Sequence, residues 1–351
     1  MSIATQPLAV PRSTTRARDY AELIKLRVTT LIVMTAWAGF YFGAIRSGVS
    51  SLSWALFHAL LGIGMISGGT AALNEALEHD IDARMRRTSI RPIPMGRMTV
   101  RHGAIVGGLL TVGGALYLAL ALNPLTGLLA SATSLVYLAA YTPLKKVHPI
   151  CTLVGAFPGA MPGVLGWTAA RGHLEWPAAI LFAIVFFWQF PHFFSIAWLY
   201  REDYEAGGIQ MLPVVEPDRP STARQILFYS LGLIPVSLLP TYLGMAGRIY
   251  LAGALLLGLA MLYFSLRLST ALVGPDTLVR PAERNSANFA SQQGIASAMP
   301  QANPTRPPLG ARFLSYPNAP RSKPLARNLL QATVFYLPLL FALMMWNARG
   351  A

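Results

Sequence analysis

The chain has 351 residues, 54% of them hydrophobic and only 12% charged, with a formal net charge of +14 and a single cysteine. That apolar content, with a mean hydropathy of +0.47, excludes an ordinary water-soluble globule. Cys151, standing alone, excludes an intramolecular disulfide and a cysteine-built metal cluster, and its apolar surroundings point to packing.

Residues 1–25 carry Pro7, Pro11, Arg12, Arg16 and Arg18 without an apolar run, so they read as a cytoplasmic N-terminal tail and not as a secretory signal. Nine continuously apolar stretches follow, at about 26–45, 53–73, 103–122, 124–141, 150–169, 177–199, 225–244, 249–268 and 328–346. Each approaches the ~20 helical residues that cross a hydrocarbon core about 30 Å thick. The runs do not alternate as barrel strands do, so the predicted fold class is all-α: a polytopic membrane bundle of nine transmembrane helices. The third and fourth runs are divided only by Asn123-Pro124, a boundary that rests on turn chemistry. Eight helices form a core over 26–268. Residues 269–327 form a connecting loop, with nine prolines in 274–327, too polar and irregular to offset its ordering entropy and so predicted to be disordered and cytoplasmic. The ninth helix (328–346) and a short tail (347–351) end the chain.

Charge distribution sets the topology. When alternate loops are assigned to opposite sides, all of the 28 lysines and arginines fall on the N-terminal side except Arg46, Arg171, Arg248 and Arg349. The positive-inside rule then predicts a cytoplasmic N-terminus and a periplasmic C-terminus, in a bacterial inner membrane. The basic surplus reads as topology and contact with anionic membrane lipids, with no nucleic-acid partner.

Half of the fourteen carboxylates sit in two clusters at the ends of apolar stretches: Glu75, Glu78, Asp80 and Asp82, then Glu202, Asp203 and Glu205. On a helix, Asn74, Glu78 and Asp82 follow i, i+4, i+8 and share one face; Glu75 falls in the same arc and Asp80 points away. Such an oxygen-bearing stripe suits Mg²⁺, which accepts hard oxygen ligands and keeps coordination positions for substrate phosphates. Carboxylates alone would repel a diphosphate. Arg84, Arg86, Arg87, Arg91, Arg97 and Arg101 follow the first cluster, and part of this run is topology signal while part matches phosphate recognition. Lys145 and Lys146 after Tyr141-Thr142-Pro143 are read either as membrane anchors or as partners of a leaving diphosphate. In the second cluster Glu202 and Asp203 are candidates to complete the metal site, with Tyr200 and Arg201 placed to hydrogen-bond phosphate oxygens. His192, in an aromatic-rich run, is either a packing residue or a contact to substrate or iron.

With these residues the chain resembles the UbiA-type intramembrane prenyltransferases, and among them those whose acceptor is heme. The match comprises Asn74-x3-Glu78-x3-Asp82, Met85-Arg86-Arg87-Thr88-x2-Arg91-Pro92 and Tyr141-Thr142-Pro143-Leu144-Lys145-Lys146. It continues with Gly155-Ala156-x-Pro158-Gly159 through Gly166-Trp167, Trp188-Gln189-x-Pro191-His192-Phe193, Tyr200-Arg201-x-Asp203-Tyr204-x2-Gly207-Gly208 and Tyr336-Leu337-Pro338. The resemblance implies nine membrane helices around a central cavity. It also implies transfer of a farnesyl group from farnesyl diphosphate to a vinyl group of heme b, with addition of water, to give heme O. Asn74, Glu78, Asp82 and Asp203 would position Mg²⁺ and diphosphate; Arg87, Arg91, Lys145, Tyr200 and Arg201 would bind the diphosphate; His192 would meet heme. Heme A synthase or terminal oxidase assembly would be partners downstream.

Two positions depart from the family pattern. Glu78 stands where aspartate is usual, and Gly207 stands where a second aspartate often follows Asp203. The alternatives are a related prenyltransferase acting on a quinone precursor or other aromatic acceptor, and a heme-handling or transport protein. Charges gathered at one membrane face and at helix ends argue against a transport pathway.

Overall fold

The structure is a computed structural model that describes residues 15–215, 220–273 and 319–349. Its helices are α1 (Arg16–Leu23), α2 (Leu26–Arg46), α3 (Trp54–Asp82), α4 (Val100–Ala121), α5 (Pro124–Leu144), α6 (Cys151–Arg171), α7 (Trp176–Leu199), α8 (Arg201–Gly207), α9 (Leu212–Val215), α10 (Pro220–Tyr242), α11 (Arg248–Val273) and α12 (Ala319–Trp346). Helix starts follow local chemistry. Ser53 and Thr99 cap α3 and α4 by accepting from the backbone N–H of Leu56 and His102. Asn123 accepts from Thr126 N at 2.9 Å with Pro124 at the first helical position, so a two-residue signal divides α4 from α5.

Eight helices among the described residues are long and apolar enough to cross a membrane. The ninth expected span, α6, has the length, but its glycines, with Pro158 and Pro162, dilute its hydropathy, and most of its surface is buried by neighbours. Nine therefore matches the long helices among the described residues and is approximate as a count of membrane spans.

The expected boundaries shift at the charged ends. Part of the N-terminal tail is helical (α1), α11 continues to Val273, and α12 begins at Ala319 instead of 328. Hydropathy stops at the first charge, whereas a helix emerging from the apolar layer still satisfies its own backbone. The central part of the loop expected over 269–327, residues 274–318, lies outside the described residues. In the tail expected at 347–351, Asn347 Oδ1 accepts from Tyr250 N at 3.0 Å, fastening the chain end to the start of α11.

Large apolar side chains face outward along the helices, and Trp54, Trp176, Tyr242 and Trp346, each at least 74% exposed, stand at helix ends. In up-and-down order those four ends share one face, where they form an aromatic belt. Inside, α2 crosses α6 closely: a Cβ on Gly166 would strike the Ala36 carbonyl oxygen, and one on Gly39 the Gly163 carbonyl oxygen. Lipid offers no hydrophobic drive between helices, so such close backbone approach supplies the packing. Polar bonds add to it, with Ser230 to Ser265 and Ser237 to Tyr336, both at 2.8 Å, tying α10 to α11 and α12.

Gly166→Ala should lower stability by about 1–3 kcal/mol through overpacking at this crossing. Thermal unfolding of the purified protein in detergent measures this, and a midpoint equal to wild type would show that α2 can retreat at no cost.

Candidate active site

Four side chains at the C-terminal end of α3 are almost wholly buried: Asn74, Glu75, Glu78 and Asp82 are at most 5% exposed, while the Asp80 side chain is 85% exposed. Buried carboxylates are tolerable only when compensated, and each finds its compensation on a different segment. Lys145, just past α5, stands 2.7 Å from Oε1 and 2.8 Å from Oε2 of Glu78. Asn74 donates from Nδ2 to Glu78 Oε2 at 2.9 Å and to Thr142 Oγ1 at 3.2 Å, and accepts from Lys25 Nζ at 2.8 Å. Arg91 pairs with Asp82, and the Thr88 hydroxyl donates to the Asp82 carbonyl at 3.0 Å. Glu75 accepts from Ile93 N at 3.2 Å. The link after α3 thereby folds back over the helix that precedes it.

The second cluster meets the first through that link. Asp203 accepts from Arg87 N at 3.2 Å and lies 3.7 Å from Arg86 Nε. The Arg87 guanidinium lies over the rings of Tyr200 and Tyr204, 5.4 and 6.0 Å from their centroids. Asn74, Glu78, Asp82, Asp203, Arg87, Arg91, Lys145 and Tyr200 thus gather at one end of the bundle. Arg201 is buried, with its guanidinium 4.4 Å over Trp198. Glu202 pairs with Lys323 of α12 at 2.9 Å, which draws it towards α12 and holds its carboxyl below the usual range. Its neighbour Asp203 is one residue on and so about 100° round the helix.

His192 is not part of this gathering. It lies on α7, with Nδ1 2.8 Å from Thr333 Oγ1, and lines a cavity of about 190 Å³ between α2, α7 and α12.

Lys25 carries no motif signal, because a lone lysine before an apolar run reads as topology. It is the one described non-glycine residue with positive φ, 48°. A backbone held in that region costs on the order of 1–3 kcal/mol and recurs at functional sites. Burial, and the charges of Arg91 and Lys145, pull its ammonium from 10.5 down to about 7. At Lys145, burial is the largest single influence and pushes downward, but the charge and hydrogen bond of Glu78, together with Tyr137 and Tyr204, sum to more and the net direction is up. Gly207 is closely packed: a Cβ there would stand 3.0 Å from Met85 Sδ and 3.2 Å from Ile81 Cγ2, so a side chain at this position would require Met85 or Ile81 to shift by a few tenths of an ångström.

Among the described residues no three His, Cys, Asp or Glu side chains come close enough to form a metal cage. The donors present are nonetheless hard oxygens, and the buried Glu75 Oε2 has no hydrogen-bond partner among the described residues. That donor set fits Mg²⁺, which binds through one or two carboxylates together with substrate phosphates and waters.

The model of the UbiA prenyltransferase family matches residues 31–273. The chain belongs to that family. A protoheme IX farnesyltransferase of Koribacter versatilis is 55% identical over 347 residues, covering 98% of each chain. One of Solibacter usitatus is 48% identical, covering 72% of this chain and 88% of its own. Among solved structures, a UbiA homologue of Archaeoglobus fulgidus bound to GPP and Mg²⁺ superposes with a TM-score of 0.52 at 16% identity, covering 93% and 99% of the two chains. A digeranylgeranylglyceryl phosphate synthase gives 0.65 at 14% identity, covering 94% and 98%. At such identities the structures share the UbiA fold, and nothing finer is carried across.

Two outcomes follow from the electrostatics. Lys145→Met strands Glu78 as a buried charge and should cost about 3–5 kcal/mol, whereas adding Glu78→Gln should restore much of it; a double-mutant cycle in thermal unfolding reads the difference. Lys25 binds its proton to 10.5 when unfolded but only to about 7 when folded. The unfolded state therefore holds more protons between those values, and stability rises with pH across that window. Lys25→Met should flatten the rise in unfolding scans from pH 7 to 10.

Proposed function

We propose that this chain transfers a farnesyl group from farnesyl diphosphate to a vinyl group of heme b, giving heme O. The observation that carries the reading is the meeting of the acidic stripe Asn74, Glu78 and Asp82 with Asp203 and Arg87 at one bundle end. It is supported by a relative named protoheme IX farnesyltransferase at 55% identity over 98% of both chains.

Lys145, Arg91, Arg87 and Arg201 receive the diphosphate and stabilise the negative charge that builds as the C1–O bond breaks, an arrangement worth several kcal/mol when preorganised away from water. Asn74, Glu78, Asp82 and Asp203 would hold Mg²⁺, which when bound neutralises diphosphate oxygens and promotes departure of the leaving group. Tyr200, lying under Arg87, holds that guanidinium in place and offers its hydroxyl to the phosphate. The diphosphate leaves with the bonding electron pair. The vinyl π electrons of heme then form the new carbon–carbon bond to C1, and water adds to the cation left beside the porphyrin ring and releases a proton. The apolar walls of the bundle keep water from the farnesyl carbon until that bond has formed. His192 meets the heme.

The chain lies in a bacterial inner membrane with its N-terminus cytoplasmic and its C-terminus periplasmic, as the arginine and lysine asymmetry supports. Heme A synthase or terminal oxidase assembly takes up the product.

Purified protein given heme b, farnesyl diphosphate and Mg²⁺ should yield a heme heavier by one farnesyl and one hydroxyl group, read by mass spectrometry. Unchanged heme, with a quinone precursor prenylated instead, would overturn the assignment. Asp82→Ala and Asp203→Ala should each lower turnover by about 10²–10³, the loss usual when one preorganised charge-stabilising group is removed, while membrane insertion is retained.

A further inference from the structure

The cavity between α2, α7 and α12 is walled almost entirely by apolar side chains, among them Leu31, Met34, Leu337 and Phe341. Leu31, Met34, Trp37 and Val334 on its rim are 38–55% exposed, so it opens sideways towards the lipid. Besides Trp37 on the rim, three side chains with polar atoms line it: Thr35, Trp188 and His192. Two of them are already committed. The Thr35 hydroxyl donates to Leu31 O at 3.0 Å, and the Trp188 indole N–H donates to Thr333 O at 2.8 Å.

The third is set by the same Thr333. Its hydroxyl has one hydrogen, which it gives to Leu330 O at 2.6 Å. Towards His192 Nδ1, 2.8 Å away, Thr333 Oγ1 can then only accept. The imidazole is therefore the Nδ1–H tautomer, and Nε2 carries a lone pair that has no hydrogen-bond partner among the described residues. The ring cannot turn freely, because it stacks on Trp188 with centroids 4.8 Å apart and planes 20° apart, and Trp188 is fastened to the same threonine. An imidazole whose far nitrogen is anchored and whose near nitrogen presents a lone pair is the arrangement of a metal-ligating histidine.

We infer that Thr333 is a positioning residue for the acceptor: it holds His192 so that Nε2 becomes an axial ligand to the heme iron entering through this lateral cavity. The inference rests on the reading of heme b as the acceptor and adds to it an iron ligand, a tautomer and the residue that sets them.

The test is a spectroscopic titration of the purified protein with heme b, run on wild type, His192→Ala, Thr333→Val and Thr333→Ser, with farnesyl diphosphate binding as the check on folding. Wild type should show imidazole-ligated heme, His192→Ala should lose that signature, and added imidazole should restore it. Thr333→Val keeps the shape and removes the acceptor, so heme affinity should fall about 10- to 100-fold, as at other outer-shell partners of metal-ligating histidines. Its ferrous iron–imidazole stretch should shift as well, and Thr333→Ser should remain close to wild type in both. An unaltered heme spectrum in His192→Ala overturns the ligand, and a Thr333→Ser protein that behaves like Thr333→Val reduces Thr333 to packing. Should Thr333→Val fail to bind farnesyl diphosphate, the wild-type iron–imidazole stretch decides alone: a frequency typical of an imidazole with no Nδ1 hydrogen bond overturns the proposal. Farnesylation of heme without imidazole ligation would sink this inference and leave the proposed function standing. Failure to farnesylate heme at all would sink the function itself.

Discussion

The buried carboxylates at the end of α3 are the constraint around which this end of the protein is organised. In a low-dielectric interior an uncompensated Glu78 or Asp82 would cost several kcal/mol, so the chain must deliver a cation to each. It does so from two separate places, Arg91 from the link after α3 and Lys145 just beyond α5, while Lys25 before α2 reaches the stripe through the amide of Asn74. This exchange of charge joins the ends of those helices alongside apolar packing, in which Ile81 and Met85 cluster with Tyr204 and Met211, and Leu23 with Ala76 and Ile93. The same exchange makes the site suitable for a diphosphate, since acids alone would repel it and cations alone would hold the released product too tightly.

The molecule separates its polar and apolar tasks along α7. The cavity with His192 lies within the apolar bundle, and Asp203 follows the C-terminal end of α7; the eleven residue steps from one to the other amount to about 16 Å if helical throughout. A substrate with a charged head and a long hydrocarbon tail matches that gradient, as does an apolar macrocycle approached from the lipid side. Exclusion of water from the apolar part follows from its composition and needs no separate device. Close glycine crossings between α2 and α6 keep the wall rigid where loose packing would admit solvent.

Much of this was legible in the linear chain because two periodicities are hard to mistake. Continuous apolar runs of about 20 residues give membrane helices, and oxygen-bearing residues at i, i+4, i+8 give a stripe; burial of Asn74, Glu78 and Asp82 with exposure of Asp80 follows the second pattern residue by residue. The boundaries were less legible, because α1 and the start of α12 are helices rich in charged residues that hydropathy passes over, and α11 runs five residues past its expected end. Lys25 left no trace, since its role depends on a left-handed backbone and on Asn74, 49 positions away. Glu202 and Asp203 are alike as letters, and only the direction of α8 turns one towards Lys323 and the other towards Arg87.

By itself the sequence determined the class of protein, the helix order, the face on which charge collects and the residue types able to hold a diphosphate. These follow from local spacing and from the cost of placing polar groups in hydrocarbon. The tertiary structure alone decided which cation compensates which acid, how closely Gly207 packs against Met85, and which nitrogen of His192 meets Thr333. Those outcomes are pairings between segments far apart in the chain, and a pairing has no signature in either segment taken alone.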